Sequence, residues 1–133
     1  MGYYSEVAIE ILKAEEPEFL KMVDEYVTPH HPHTTYVPNE AKELISFATR
    51  TEREDYLWSE DYSERETVDV VVYYWNSIKW YYDGAHAIDS FLAKLNHYGF
   101  CRVGEEIGDV VEEWEGQLDG TLINVRSYID IGG

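Results

Sequence analysis

The chain of 133 residues carries 27 Asp and Glu against 10 Lys and Arg, a formal net charge of −17 at pH 7. Such charge often accompanies disorder, but 44% hydrophobic and 15% aromatic residues predict one folded domain over residues 1–133. The charge also disfavours direct binding to nucleic acids and anionic membranes, because such binding depends on Lys and Arg contacts to phosphates. We therefore expect a basic partner.

The cysteine content and the lengths of the apolar runs indicate in which cellular compartment the chain is expected. Cys101 is the only cysteine, so the chain forms no intramolecular disulfide, and a reducing compartment fits. The N-terminus lacks the basic and apolar regions of a secretory signal. No apolar run approaches the roughly 20 residues that span a bilayer.

The first predicted elements are a strand and a helix. Apolar residues alternate from Tyr3 to Leu12, the period of a strand, with Glu6, Ala8 and Glu10 on the side opposite Val7, Ile9 and Ile11. Pro17 suits the first turn of a helix that reaches about Val27.

Residues 28–66 hold three of the four prolines and are predicted to form an elaborated insertion. Within it we expect a strand near Glu43–Arg50, followed by a hairpin-like or irregular excursion. Beyond it, β-branched and aromatic residues predict a strand from Thr67 to Trp75.

The last third of the chain predicts a second helix and two further strands. The helix covers Ala85 to Tyr98, and Gly99 stands where a C-terminal cap belongs. Strands follow at 100–103 and 121–131. The order predicts an α+β fold, a ferredoxin-like β-α-β-β-α-β(β) antiparallel sheet with two helices on one face. The competing architecture is a larger mixed sheet in which 43–58 adds a hairpin.

The densest acidic segment lies between Arg102 and Arg126, where no basic residue intervenes. If Asp109–Glu115 forms a helical turn, then Asp109, Glu112 and Glu113 share one face at a spacing that imitates nucleic-acid phosphates. The alternative is a solvated acidic connector between strands. The candidate partner-binding carboxylates are Glu105, Glu106, Asp109, Glu112, Glu113, Glu115 and Asp119.

Aromatic residues cluster at 73–75 and 80–82. Alternate residues of a strand face opposite ways, so not all of these rings can lie in one core. Tyr74, Trp80 and Tyr82 are therefore candidates for contact with a partner, because Tyr and Trp predominate at binding hot spots. The alternative is that one row packs under the helices and the insertion covers the other.

Metal binding and catalysis have weaker signals. His30, His31 and His33 are weak candidate ligands for Zn²⁺ or Ni²⁺, and an adventitious site is the favoured interpretation. No nucleophile elbow, phosphate loop or dinucleotide motif is present in the sequence. Cys101 falls in a predicted strand, which favours a buried, inert thiol. We predict no enzyme and no cofactor.

Three stretches resemble a loose group of small phage-encoded proteins of unassigned role. They are the YYSEVAI opening at 3–9, the WNSIKWY stretch at 75–81 and the FCRVGEE stretch at 100–106. The resemblance covers about residues 3–27 and 67–131. It implies origin in a phage or prophage and carries over no catalytic residue.

Together these features predict a phage-type acidic inhibitor in the cytoplasm of the host cell. Its expected target is a basic, nucleic-acid-handling host defence protein, bound by mimicry of nucleic acid as anti-CRISPR or anti-restriction proteins do. Two alternatives stay open, a virion or assembly protein and a small metal-dependent enzyme using the histidine cluster. The oligomeric state is also open, a homodimer included.

Overall fold

Five strands form one antiparallel sheet in the computed structural model, which describes residues 3–29, 38–120, 122–125 and 128–132. The sheet order is β2-β3-β1-β4-β5, and a separate two-stranded ribbon pairs β6 with β7. The strands are β1 Ser5–Leu12, β2 Thr49–Trp58, β3 Arg65–Ile78, β4 Tyr98–Gly104, β5 Val110–Glu115, β6 Ile123–Val125 and β7 Ile129–Ile131. The helices are α1 Glu16–Glu25, α2 Glu40–Phe47 and α3 Asp83–Leu92.

All three described helices pack on one face of the sheet. Alternate residues of β1 and β3, such as Ile9 and Tyr73, face Phe19 of α1, Leu44 of α2 and Ile88 of α3 in one buried cluster. The α+β class is therefore as predicted, but three helices cover this face instead of two. The additional helix is α2, which lies in the segment interpreted as an insertion.

The opposite face of the sheet is covered by the C-terminal part of the chain. Ala8, Val72 and Cys101 pack there against Leu122 and Ile129. The predicted strand at 121–131 is two short strands, β6 and β7, that pair with each other and not with the main sheet. Both faces of β1 are consequently buried.

The predicted first strand and first helix are confirmed. β1 spans Ser5–Leu12 with Val7, Ile9 and Ile11 fully buried, and α1 spans Glu16–Glu25 with Pro17 in its first turn. α1 buries one stripe on the sheet, as its period predicts, whereas β1 is central and is buried on both faces although its period predicts one polar face.

The predicted strand near Glu43–Arg50 is wrong. Residues 40–47 form α2, whose N-cap Asn39 accepts a hydrogen bond from the Lys42 backbone N–H at 2.9 Å. A strand, β2, begins only at Thr49, and its ten residues pair with β3 as a hairpin. Residues 49–58 of the predicted insertion thus supply one edge of the main sheet.

The predicted second helix extends too far, because α3 ends at Leu92 and Tyr98 already belongs to β4. Gly99 is therefore not a helix cap but a strand residue that pairs with Trp114. A Cβ at this position would lie 2.1 Å from the Trp114 ring, so only glycine leaves room for the indole.

Gly99→Ala is expected to destabilise the fold by about 1–3 kcal/mol, because Trp114 must leave its position over the strand. The free energy of unfolding in urea measures this effect. Gly132→Ala is the control, since nothing lies within 4 Å of the added methyl group. Equal stability of the two variants would contradict the packing described.

Candidate functional site

The acidic segment after β4 is a loop followed by an edge strand, so the helical turn considered over Asp109–Glu115 does not form. β5 pairs with β4, placing Val111 opposite Arg102 and Trp114 opposite Gly99. Successive side chains of a strand face opposite ways, so Glu112 lies on the ribbon-covered face and Glu113 on the helix-covered face. The predicted phosphate-like row of Asp109, Glu112 and Glu113 does not form.

The acidic residues are also divided between the two ends of the sheet. Glu105, Glu106 and Asp109 lie in or next to the β4–β5 loop, at the end where β1 begins. Glu115 ends β5 at the opposite end. Asp119, near that end, accepts a hydrogen bond from Trp58 Nε1 at 2.8 Å and lies 3.8 Å from Arg65. The segment therefore does not form one continuous surface.

Part of the acidic segment has an internal countercharge. Arg102 donates hydrogen bonds to both carboxylate oxygens of Asp109, at 2.9 and 3.1 Å, and the Tyr3 hydroxyl donates to the same carboxylate at 2.6 Å. Arg102 first and Tyr3 second lower the pKa of Asp109 to about 2. The acidic segment was expected to have no countercharge, and the ion pair of Asp109 with Arg102 corrects this expectation for Asp109. Five of the predicted acids are exposed, namely Glu105, Glu106, Glu112, Glu113 and Glu115.

The three aromatic candidates for partner contact differ in exposure and packing. Trp80 is only 9% exposed and packs between Trp75 and Phe100, so it is a core residue and not part of a contact surface. Tyr74 is half-buried, and its hydroxyl donates to Glu6 at 2.7 Å. Tyr82 is 46% exposed and remains available to a partner.

The sequence patterns did not identify two further exposed aromatic residues, Tyr4 and Phe47, as candidates for partner contact. Phe47 is 67% exposed because it ends α2 instead of belonging to a strand. The helical spacing of Glu40, Leu44 and Phe47 is the signal that identifies this face. Tyr4, which precedes β1, is 43% exposed.

These rings line a groove between α2 and the end of β3. The groove has a volume of about 350 Å³ and is walled by Tyr4, Phe47 and Tyr82, with Glu40 and Glu43 from α2. α2 and α3 approach closely here, because a Cβ on Gly84 would lie 2.8 Å from the Glu40 backbone.

Tyr4 connects the groove to the acidic loop. Its backbone N–H donates to a carboxylate oxygen of Glu105 at 2.7 Å, while its ring lines the groove. We call the surface formed by Tyr4, Phe47, Tyr82, Glu105 and Glu106 the acidic–aromatic end. It combines exposed carboxylates with exposed aromatic rings, the groups that attract a basic protein and then hold it.

Another group of acids lies under the C-terminal segment, away from this surface. Glu10 is fully buried in β1, and Asp55 of β2 is 3% exposed and accepts from the Gly120 backbone N–H at 3.3 Å. Burial first, and then Asp55 and Asp119, raise the pKa of Glu10 to about 9. Glu10 is therefore protonated at neutral pH, and its effect is on stability.

The structure describes the single thiol but not the three candidate metal ligands. His30, His31 and His33 lie outside the described residues. Within the described ranges, no group of three or more His, Cys, Asp and Glu side chains is arranged to hold a metal ion. Cys101 is buried, as predicted, and burial raises the pKa of its thiol to about 12, which suppresses the reactive thiolate.

Comparison with family models, with curated proteins and with solved structures found no match to this chain. Among the described residues, no helix combines the length and the apolar character needed to cross a bilayer.

Proposed function

We propose that the chain is a non-catalytic binding protein whose acidic–aromatic end contacts a basic protein. The observation that carries this proposal is the junction at Tyr4, whose backbone N–H donates to the exposed Glu105 while its ring lines the groove with Phe47 and Tyr82. A net charge of −17 accelerates encounter with a basic partner, and burial of the rings slows dissociation.

The partner we propose is a nucleic-acid-handling defence protein of a bacterial host, which the chain inhibits in the host cytoplasm after expression from a phage. The acidic charge supports this choice, since proteins that bind nucleic acids present Lys and Arg to phosphates. The regular phosphate-like row expected on a helix is lost because 110–115 is a strand. Mimicry therefore rests on the exposed carboxylates of the β4–β5 loop, Glu105 and Glu106.

A capture experiment with displacement tests the proposal. The chain is immobilised and exposed to nuclease-treated bacterial lysate, and bound protein is then challenged with duplex DNA. We expect a basic, nucleic-acid-binding protein to be retained and to be released by the DNA, because the two ligands compete for one surface. Retention of proteins that do not bind nucleic acid would contradict the proposal, as would a captured protein that DNA fails to displace.

We also propose that β1, α1, β2, β3, α3 and β4 form a ferredoxin-like unit, to which α2, β5 and the β6–β7 ribbon are additions. Each connection through helices, from β1 to β2 and from β3 to β4, passes over one intervening strand of the antiparallel sheet. An experimental structure with β1 and β4 not adjacent would contradict this assignment.

A further inference from the structure

One face of α2 borders the groove, and its Leu44 also belongs to the buried core. Glu40, Glu43, Leu44 and Phe47 recur at i, i+3, i+4 and i+7, and all four line the groove. This face presents two carboxylates, Glu40 and Glu43, followed by two apolar side chains, Leu44 and Phe47. A ligand in the groove therefore meets negative charge and apolar surface together.

The aromatic walls suit a cation. Tyr4, Phe47 and Tyr82 are 43%, 67% and 46% exposed, and the Tyr82 ring also packs against Tyr81 with ring centroids 4.7 Å apart. The chain itself places one cation on this wall, because Lys79 Nζ lies 5.6 Å from the centroid of the Tyr4 ring. Aromatic faces attract cations through their quadrupole, and guanidinium groups also stack on them.

One carboxylate oxygen of the groove lacks a donor. Glu40 Oε2 is shielded from solvent and has no hydrogen-bond partner among the described residues. A shielded carboxylate oxygen is costly until a donor reaches it, and a charged donor gives the strongest bond. A planar guanidinium has five N–H donors and can bond to a carboxylate while it stacks on a ring.

We propose that the groove is a binding site for the guanidinium of an arginine side chain supplied by the partner protein. This inference rests on the proposed function and specifies its recognition chemistry. Glu40 and Glu43 receive the N–H donors, and Tyr82 and Phe47 cover the guanidinium plane. Lys79, at the rim, opposes the incoming charge and sets an upper limit on affinity.

A peptide titration tests the site directly. The full chain, labelled with ¹⁵N, is titrated with acetyl-Gly-Arg-Gly-amide and with the same peptide carrying citrulline, whose uncharged urea group matches guanidinium in shape. We expect saturable shifts at the amides of Phe47, Ile78 and Tyr82, with the arginine peptide binding roughly tenfold more tightly. Equal binding of the two peptides would overturn the proposal.

Substitutions of acidic and of basic residues in the groove are expected to change arginine-peptide affinity in opposite directions. Glu40→Gln and Glu43→Gln are expected to weaken arginine-peptide binding by roughly fivefold each, whereas Lys79→Gln is expected to strengthen it, because repulsion is removed. Glu18→Gln, on an exposed position of α1, is the matched control and is expected to change nothing. Weaker arginine-peptide binding in Lys79→Gln would show that Lys79 does not repel the ligand and would overturn the proposal.

A third ligand tests whether the groove binds an arginine side chain of a protein or a free small cation. N-propylguanidinium carries the same group without a peptide backbone, and binding of both ligands supports a protein side chain as occupant. Binding of N-propylguanidinium alone would assign the groove to a free small cation and overturn the proposal. These titrations use no host protein, so their failure is distinguishable from failure of the capture experiment.

Discussion

Replacing Glu10 by glutamine is expected to stabilise the folded chain by about 3 kcal/mol at pH 7 and to have little effect at pH 4. The folded pKa of Glu10 is raised to about 9 from an ordinary value of 4.5, chiefly by burial. Below pH 4.5 the carboxyl is protonated in both states and contributes no difference. Between pH 4.5 and 9 the unfolded chain releases the proton and the folded chain keeps it. Stability therefore falls by about 1.4 kcal/mol per pH unit as pH rises.

Urea unfolding of both proteins at pH 4, 7 and 9 measures this difference. The glutamine side chain has nearly the same shape but does not ionise, so its variant lacks this part of the pH dependence. Glu60→Gln, in the exposed β2–β3 turn, serves as control and is expected to follow the unsubstituted chain. A Glu10→Gln variant whose stability changes with pH as steeply as the original would show that Glu10 ionises normally, contrary to its burial.

Reversal of Glu105 and Glu106 to lysine is expected to slow association with the captured partner by roughly tenfold or more at low salt. The two reversals change the net charge by +4, from −17 to −13, and place positive charge beside the groove. The salt dependence of the association rate should become shallower, because long-range attraction is what salt screens. The dissociation rate should change less, since rim charges act mainly on encounter.

The matched control reverses Glu60 and Glu64, which gives the same net charge at the opposite end of β3, roughly 40 Å away for a 14-residue strand. Stopped-flow measurements at several salt concentrations compare the three proteins. Equal slowing in both variants would show that net charge alone steers encounter and that the acidic–aromatic end has no special part.

Aromatic substitutions test whether the rings slow dissociation of the partner, separately from the charges that speed its encounter. Phe47→Ala and Tyr82→Ala leave the charge unchanged and remove exposed rings, so they are expected to raise the dissociation rate with little effect on association. The same stopped-flow series, followed by dilution, measures both rates.

Local patterns were sufficient to locate β1 and α1 in the sequence. β1 and α1 were predicted close to their observed bounds because hydrophobic period 2 and period 3.6 are properties of the sequence itself. The burial of Cys101 followed from its predicted strand position in the same way.

Two short patterns were ambiguous in the sequence. Leu44, Ile45 and Phe47 were interpreted as a strand, which is wrong, although Asn39 at the N-cap indicates a helix start. The acidic run at 109–115 left a helical turn and a connector between strands both open, and pairing with β4 makes 110–115 a strand. A run of four to eight residues with one or two apolar positions fits either period, so pairing with a neighbour decides the outcome.

By itself the sequence determined the charge, the α+β class and the presence of exposed aromatic residues, because composition and local period contain these properties. Only the tertiary structure decided which residues share a surface. Glu10 appeared on the polar side of β1, yet Leu122, Ile123 and Ile129 cover that face of the sheet, and Glu10 is buried. Tyr4, Phe47 and Glu105 are far apart in the chain, and the antiparallel sheet brings them to one end. Such contacts depend on pairing between distant segments, which no local period records.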